Sequence, residues 1–277
     1  MEPLASRFPL PAVMGVVNVT PDSFSDGGLY ADRDAAIAHG LALAAEGASI
    51  VDVGGESTRP GSDGVDEAEE LRRVVDVVAG IRAASAVPIS VDTSRSRVAA
   101  AAIEAGASMV NDVTAGTRDP RMADVVRDAG VDVCLMHMLG TPKTMQDDPR
   151  YDDVVLEVGR FLAQRASAFV EAGVDPARIA VDPGIGFGKT TAHNCQLLMG
   201  IGALAGATGC PVLVGVSRKR FLGELLGDPD RDRVTASVAA AMVAVAHGAW
   251  MIRVHDVAPH VDGLRVLLGI RQRSEQA

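Results

Sequence analysis

The stretch Glu46-Gly47-Ala48-Ser49-Ile50-Val51-Asp52-Val53-Gly54-Gly55 decides the fold. It reads as a helix end, a glycine suited to a left-handed cap, a short strand over Ser49–Val53, and a polar side chain leading into a glycine-rich loop. Outward from it the same unit recurs. Apolar runs rich in Val and Ile occupy Ala12–Val19, Pro88–Val91, Ser108–Val113, Val131–Met136, Arg178–Val181, Pro211–Val216 and Ala249–Val254. Together the eight runs finish at Asn18, Asp52, Asp92, Asn111, His137, Asp182, Ser217 and Arg253-Val254-His255. Continuous hydrophobic runs of this length are what strands covered on both faces require. Segments with helical spacing lie between them, among them Ala31–Glu46, Val65–Ala84 and Asp152–Ala172.

Strands alternating with helices place the chain in the α/β class. They predict a single (β/α)8 TIM barrel over residues 1–277, with the active site at the C-terminal ends of the strands. The chain has 277 residues, 48% of them hydrophobic, which suits one such domain, and no Pro-, Ser- or charge-rich linker divides it. An open doubly wound sheet is the competing architecture. It would offer a glycine-rich nucleotide turn after the first strand. Here Asn18-Val19-Thr20-Pro21-Asp22-Ser23-Phe24-Ser25-Asp26-Gly27-Gly28 follows instead. An extra short helix, Lys219–Leu226, split from Val234–Ala246 by Gly227-Asp228-Pro229-Asp230, is expected before helix eight, and the tail from Arg271 is expected to fray.

The net charge of −10 argues against a nucleic-acid-binding surface. Positive charge has to be concentrated locally if an anion is bound, and there are only three lysines, Lys143, Lys189 and Lys219. Cys134, Cys195 and Cys210 show no metal-ligand spacing; Cys134 reads as a small core residue, and the odd count favours a reducing compartment. Prolines interrupt the first residues where a signal peptide needs an apolar helix, and no uncharged run reaches the ~18 residues of a membrane span. A cytoplasmic protein with no membrane association is expected.

The strand ends combine carboxylates and an amide (Asp92, Asn111, Asp182) with cationic or neutral donors (Lys219, Arg253, His255). Carboxylates accept paired N–H groups from a ring edge, and arginine lies flat on a ring or holds an anion. The set fits a polar planar heterocycle. Asn18 beside a diphosphate supplies the kind of single oxygen ligand on which Mg2+ relies. Plainer readings stand beside these. Asp52 reads equally as a buried carboxylate satisfied by loop amides. Asp92 reads also as an N-cap for a helix near Ser94, and Asp112 as a local cap. Asp182-Pro183-Gly184 has the form of a turn, and His137 that of a satisfied core histidine. His39, His247 and His260 fall in helical sequence. Arg59 in a loop of small residues favours an anion contact.

Read in order, these segments resemble dihydropteroate synthases. The matching motifs run from residues 17–28 through 52–61, Ser90-Val91-Asp92-Thr93, Asn111-Asp112-Val113, Leu135-Met136-His137-Met138, residues 182–189 and Ser217-Arg218-Lys219 to Arg253-Val254-His255-Asp256. The resemblance implies condensation of 6-hydroxymethyl-7,8-dihydropterin diphosphate with p-aminobenzoate, inhibition by sulfonamides, a Mg2+ cofactor and a homodimer. It implies catalytic roles for Asp92, Lys219 and Arg253, and a pterin site of Asp92, Asn111, Asp182, Phe187, Lys219 and Arg253. It further implies diphosphate contacts from Asn18, Thr58, Arg253 and His255, with Asn18 on the metal. Asp22, Ser23, Phe24, Ser57, Thr58, Arg59, Pro60 and Arg220 are implied to lie on the p-aminobenzoate side. Arg220 departs from the serine that many members carry there. A pterin-dependent methyltransferase, a non-catalytic pterin-binding relative and an aldolase with a Schiff base on Lys219 are the alternatives.

Overall fold

The computed structural model describes residues 3–8, 11–19, 28–57 and 64–276. A four-residue helix, α1 (Leu4–Arg7), precedes an alternating series: β1 (Ala12–Asn18), α2 (Gly28–Ala45), β2 (Ile50–Gly54), α3 (Glu67–Ala84), β3 (Ile89–Asp92), α4 (Ser96–Glu104), β4 (Met109–Asp112), α5 (Met122–Ala129), β5 (Asp132–Met136) and α6 (Val154–Glu171). A short 3-10 turn, Pro176–Arg178, leads into β6 (Ile179–Asp182). There follow α7 (Thr191–Met199), α8 (Ile201–Thr208), β7 (Leu213–Gly215), α9 (Arg220–Leu225), α10 (Val234–Ala246), β8 (Met251–Val254) and α11 (Val257–Ser274). All eight expected strands form, within one to two residues of their expected ends at most positions. The predicted fraying is not seen before the last residues: α11 continues to Ser274, and Arg271 and Arg273 in its final turn complement the negative end of the helix dipole.

Every strand pair is parallel, in the order β6-β5-β4-β3-β2-β1-β8-β7. A bridge between Val181 and Val212, with Val181 N donating to Pro211 O at 3.0 Å, brings the two ends together and closes the barrel. Side chains alternate across a strand. One parity, Val13, Val17, Val51, Val53, Ile89, Val91, Val110, Leu135, Val181, Val214, Ile252 and Val254, is buried in the core shared with the helices. The other faces the barrel interior. At its lower end lie Met14, Ile50, Met109, Cys134, Ala180, Leu213 and Met251. Helix α1 and the residue after it plug that end: Leu4 and Phe8 join this cluster, and Phe8 meets the Trp250 ring edge-on at 5.9 Å and 73°. Arg7 and Arg178 pair there with Asp132, whose buried carboxylate is held above its ordinary pKa by desolvation that outweighs the two arginines.

Helix ends follow local chemistry. Asp66 and Asp153 cap α3 and α6, accepting from Glu69 N and Leu156 N. Thr190 and His193 form a capping box on α7, and Gly130 ends α5 with φ 60°. Among the described residues no helix is long and apolar enough to cross a membrane.

The apolar floor makes a clean prediction. Trp250→Ala removes a side chain that is 2% exposed and should cost about 3–5 kcal/mol of stability. Affinity for a ligand held at the opposite end of the barrel, where the strands' C-termini lie, should stay within about twofold. Chemical denaturation and ligand titration of the same variant check both halves.

Candidate functional site

At the upper mouth, the register sets the polar groups side by side. Asn18 lies opposite Gly54, Gly54 opposite Asp92, and Asp92 opposite Asn111. Gly54 leaves a gap in that row, since a Cβ there would sit 3.3 Å from the Asp92 Cβ. Arg253, from β8, reaches across: its Nε donates to Asp52 Oδ2 at 2.7 Å and its Nη2 to Asp92 Oδ2 at 2.8 Å. Asn111 Nδ2 donates to the same Asp52 oxygen at 3.0 Å. Asp52 is therefore a buried carboxylate, but its partners are Asn111 and Arg253 rather than loop amides. Asp92 is no helix cap either: α4 begins at Ser96, whose N–H is taken by Asp119. Asp112, of the opposite parity, does cap locally, accepting from Thr114 N, Thr114 Oγ1 and Gly116 N.

Burial dominates the electrostatics. It pushes Asp92 up to about 7 against the pull of Arg253, with Asp52 and Asp112 adding to the rise. It pushes Asp182 up to about 6 despite the Gly184 N–H and the charges of Lys219, Arg253 and Lys189. Desolvation disfavours the Arg253 charge, yet Asp52 and Asp92 more than offset it, so the guanidinium stays firmly protonated.

Asp182 does form a turn: its Oδ1 accepts from Gly184 N at 2.7 Å. The turn is also the start of a built loop. Gly184, Gly186 and Gly188 all have positive φ, at 66°, 82° and 68°, the region where a Cβ is unwelcome. A Cβ at Gly184 would lie 1.9 Å from His137 O. The loop delivers Phe187, over whose ring Lys219 Nζ sits at 4.1 Å, a cation–π distance. Gly186 makes room for Lys219, whose Cδ would be 3.3 Å from an added Cβ. Just after β7 and β8, Ser217 Oγ lies 3.0 Å from His255 Nδ1 and accepts from His255 N at 3.1 Å.

Arg253 is thus joined directly to Asp92, and Asn111 is tied to Arg253 through Asp52; Phe187 pairs with Lys219, and Asp182 lies close enough to Arg253 and Lys219 to feel their charges. Asn18 is half-buried at the end of β1, and Ser57 is half-buried after β2. Arg220 is turned to solvent, 88% exposed, and pairs with Glu224 along its own helix at 3.4 Å. Asp22, Ser23, Phe24, Thr58, Arg59 and Pro60 lie outside the described residues. His39 is exposed on α2, His247 sits at the end of α10, and His260 is buried within α11 against Asp256 O. Cys134 is a buried core residue. Two residues of the mouth were named in the sequence but given no site role there: Asp52, read as a polar strand end or a buried carboxylate although it shares the lumenal parity of Asn18 and Asp92, and Lys189, one of only three lysines and the last residue of the glycine-spaced motif.

A closed parallel barrel with its ionisable groups gathered at the strand C-termini defines a (β/α)8 enzyme, and residues 14–255 match the family described as pterin binding enzyme. The dihydropteroate synthase of Mycobacterium leprae is 50% identical over 262 residues, 92% of each chain. The structure of the Xanthomonas albilineans dihydropteroate synthase with 4-aminobenzoic acid superposes with a TM-score of 0.88 at 52% identity, covering 95% of this chain and 94% of that one. The Yersinia pestis dihydropteroate synthase, solved in a sulfonamide drug complex, gives 0.88 at 44% identity with 95% of each covered. The chain belongs to the dihydropteroate synthase family of pterin-binding enzymes.

The geometry of the β6 loop is testable on its own. Gly184→Ala should cost at least about 2–3 kcal/mol, lowering the melting midpoint by roughly 5–10 °C. It should also weaken pterin binding, because His137 and Asp182 move apart. A midpoint within a degree or two of the parent protein would contradict the clash.

Proposed function

We propose that this chain joins 6-hydroxymethyl-7,8-dihydropterin diphosphate to p-aminobenzoate, releasing 7,8-dihydropteroate and diphosphate in folate synthesis. The observation that carries the reading is the lumenal row Asn18–Gly54–Asp92–Asn111 facing Arg253, with Asp182 and Lys219 in the same mouth. It fits a flat ring with a donor edge on one side and an anionic arm on the other.

In this reading Asp182 accepts from the 2-amino group and N3–H of the ring, using the oxygen that Gly184 leaves open. Asn111 and Asp92 meet the other ring nitrogens, Lys219 donates toward O4 and N5, and Phe187 and Arg253 cover the ring. Arg253 and His255, with Asn18 and Thr58, hold the diphosphate. The C–O bond to the diphosphate breaks heterolytically, the electron pair leaving with the phosphate oxygen. The positive charge is delocalised over the dihydropterin, an SN1-like course. Asp92, a buried carboxylate beside that ring, stabilises the developing charge. The p-aminobenzoate nitrogen then forms the new C–N bond and loses its proton. An aryl amine is neutral at pH 7, so no strong base is needed. Water would quench the cation, which gives Ser57–Pro60 and Asp22–Phe24 a purpose on the p-aminobenzoate side. Sulfonamides compete at that same side.

Asn18 fits a Mg2+ site. Its amide oxygen is a hard donor at the mouth, and among the described residues no group of three His, Cys, Asp or Glu is placed as a metal cage. That donor set suits an ion that takes most of its ligands from diphosphate and water. When bound, Mg2+ would neutralise the diphosphate and make it a better leaving group. Three free cysteines suit the cytoplasm. Exposed Val243, Val266 and Ile270 on α10 and α11 support a homodimer through the last helices.

Diphosphate release should require both substrates. Release with the pterin diphosphate alone would mark a hydrolase, and no release with both present would mark a non-catalytic relative. Asp182→Ala should lose pterin affinity by at least about tenfold, as a ring edge without its acceptors leaves donors unpaired. Near-normal affinity in that variant rejects the assignment. EDTA should suppress turnover and added Mg2+ restore it; unchanged rates in metal-free buffer remove the role given to Asn18.

A further inference from the structure

Of the three lysines, Lys189 alone is buried, 3% exposed, and none of the roles above uses it. Its Nζ donates to His137 Nδ1 at 2.9 Å and to Phe187 O at 2.9 Å, and reaches His137 O at 3.4 Å. Three acceptors match the three N–H groups of an ammonium. His137 is the first residue past β5, and Phe187 belongs to the β6 loop, so one ammonium fastens the end of one strand to the loop after the next. The chain of contacts continues to the ring site: His137 N donates to Asp182 O at 3.0 Å. The His137 ring is held edge-on to Phe161 at 4.9 Å.

We infer that Lys189 is a positioning residue for the pterin: its buried ammonium ties the Phe187 backbone to His137 at the end of β5, and through the His137 N–H to Asp182 O it holds the strand end that presents the Asp182 carboxylate to the ring. The inference rests on Asp182 being the ring's acceptor, as proposed above. Lys189 has a role apart from holding the loop together, because the loop has other clamps. Gln146 Nε2 donates to Gly186 O at 2.6 Å, and Tyr151 OH to Gly188 O at 2.9 Å.

The charges around Asp182 come from Lys219 before α9, Arg253 on β8 and Lys189 on its own loop, with the Cys134 thiol on β5. Arg253 is shared with Asp52 and Asp92. Burial lifts Asp182 to about 6 and lowers Lys189 to about 7, with Asp182 opposing the latter shift. Burial and Lys189 push His137 down to about 3, so it stays a neutral acceptor. The two charges favour each other: Asp182 raises the Lys189 pKa, and Lys189 lowers that of Asp182. The sign follows: pterin affinity falls as pH drops through about 6, and loss of the Lys189 charge raises the Asp182 pKa and moves that limb to higher pH.

The test is calorimetric binding of 6-hydroxymethyl-7,8-dihydropterin, without diphosphate, from about pH 5 to about pH 8.5. It compares the parent protein with Lys189→Met and Lys189→Gln, alongside thermal midpoints. Both variants should bind at least about tenfold more weakly at pH 7, with the acid limb shifted up by about one pH unit. Affinity within about twofold and an unmoved limb overturn the inference, whatever happens to the midpoint. Failure of both variants to fold also overturns it, since the ammonium is then a structural tie. Asp182→Ala separates the two levels. If that variant loses the pterin while the Lys189 variants keep it, only this inference fails; if it binds normally, the reading of the site fails.

Discussion

One guanidinium shared by two buried carboxylates holds the mouth of this barrel together. Asp52 is wholly buried and Asp92 nearly so, and both turn an oxygen toward Arg253, which reaches them from β8 across the lumen. An unpaired charge in that environment costs several kcal/mol, and breaking one partner of such a set typically costs about 3–5 kcal/mol. The arginine thus fixes three strands at the height where ligand is expected, and Asn111 ties a fourth through Asp52. Strand alternation makes this possible: every second residue faces the lumen, so the barrel carries methionine, isoleucine and leucine at its floor and ionisable groups at its rim.

Charge in the mouth is balanced. Asp52, Asp92 and Asp182 stand against Arg253, Lys219 and Lys189, all within one low-dielectric enclosure. The raised positions of Asp92 and Asp182 show that both carboxylates lack enough compensating donors as they stand. In the proposed reading, a ring edge rich in N–H groups would supply what Asp182 lacks, and a cation developing on that ring what Asp92 lacks. Ligand binding and bond cleavage would then draw on the same deficit, which links the burial of these side chains to the proposed chemistry.

Much of this was legible in the sequence. The eight runs, their polar ends and the glycines before them gave the barrel and its mouth, because burial on both faces leaves an uninterrupted apolar signature. Lumenal residues at strand ends, such as Asn18, Asp92, Asn111 and Arg253, stood out for the same reason. Partnerships were not legible. Asp52 meets Arg253 at a separation of 201 residues, a contact that only barrel closure creates. The N–H that Asp92 seemed placed to cap is served by Asp119, from the next loop. Lys189 was named as one of only three lysines, but nothing local announces that its ammonium turns inward to His137. The floor was hidden too: a four-residue helix has no period to read, and Phe8 is recognisable as a plug only once Trp250 stands opposite.

The central claim is that these opposed charges grip a planar ring inside the barrel mouth. A crystal structure of the protein with 6-hydroxymethyl-7,8-dihydropterin diphosphate tests it most directly. The account predicts the ring's amino edge on Asp182, its other nitrogens facing Asp92 and Asn111, and its diphosphate toward Arg253, His255 and Asn18. A ring bound elsewhere on the molecule, or one with its amino edge turned away from Asp182, would contradict it.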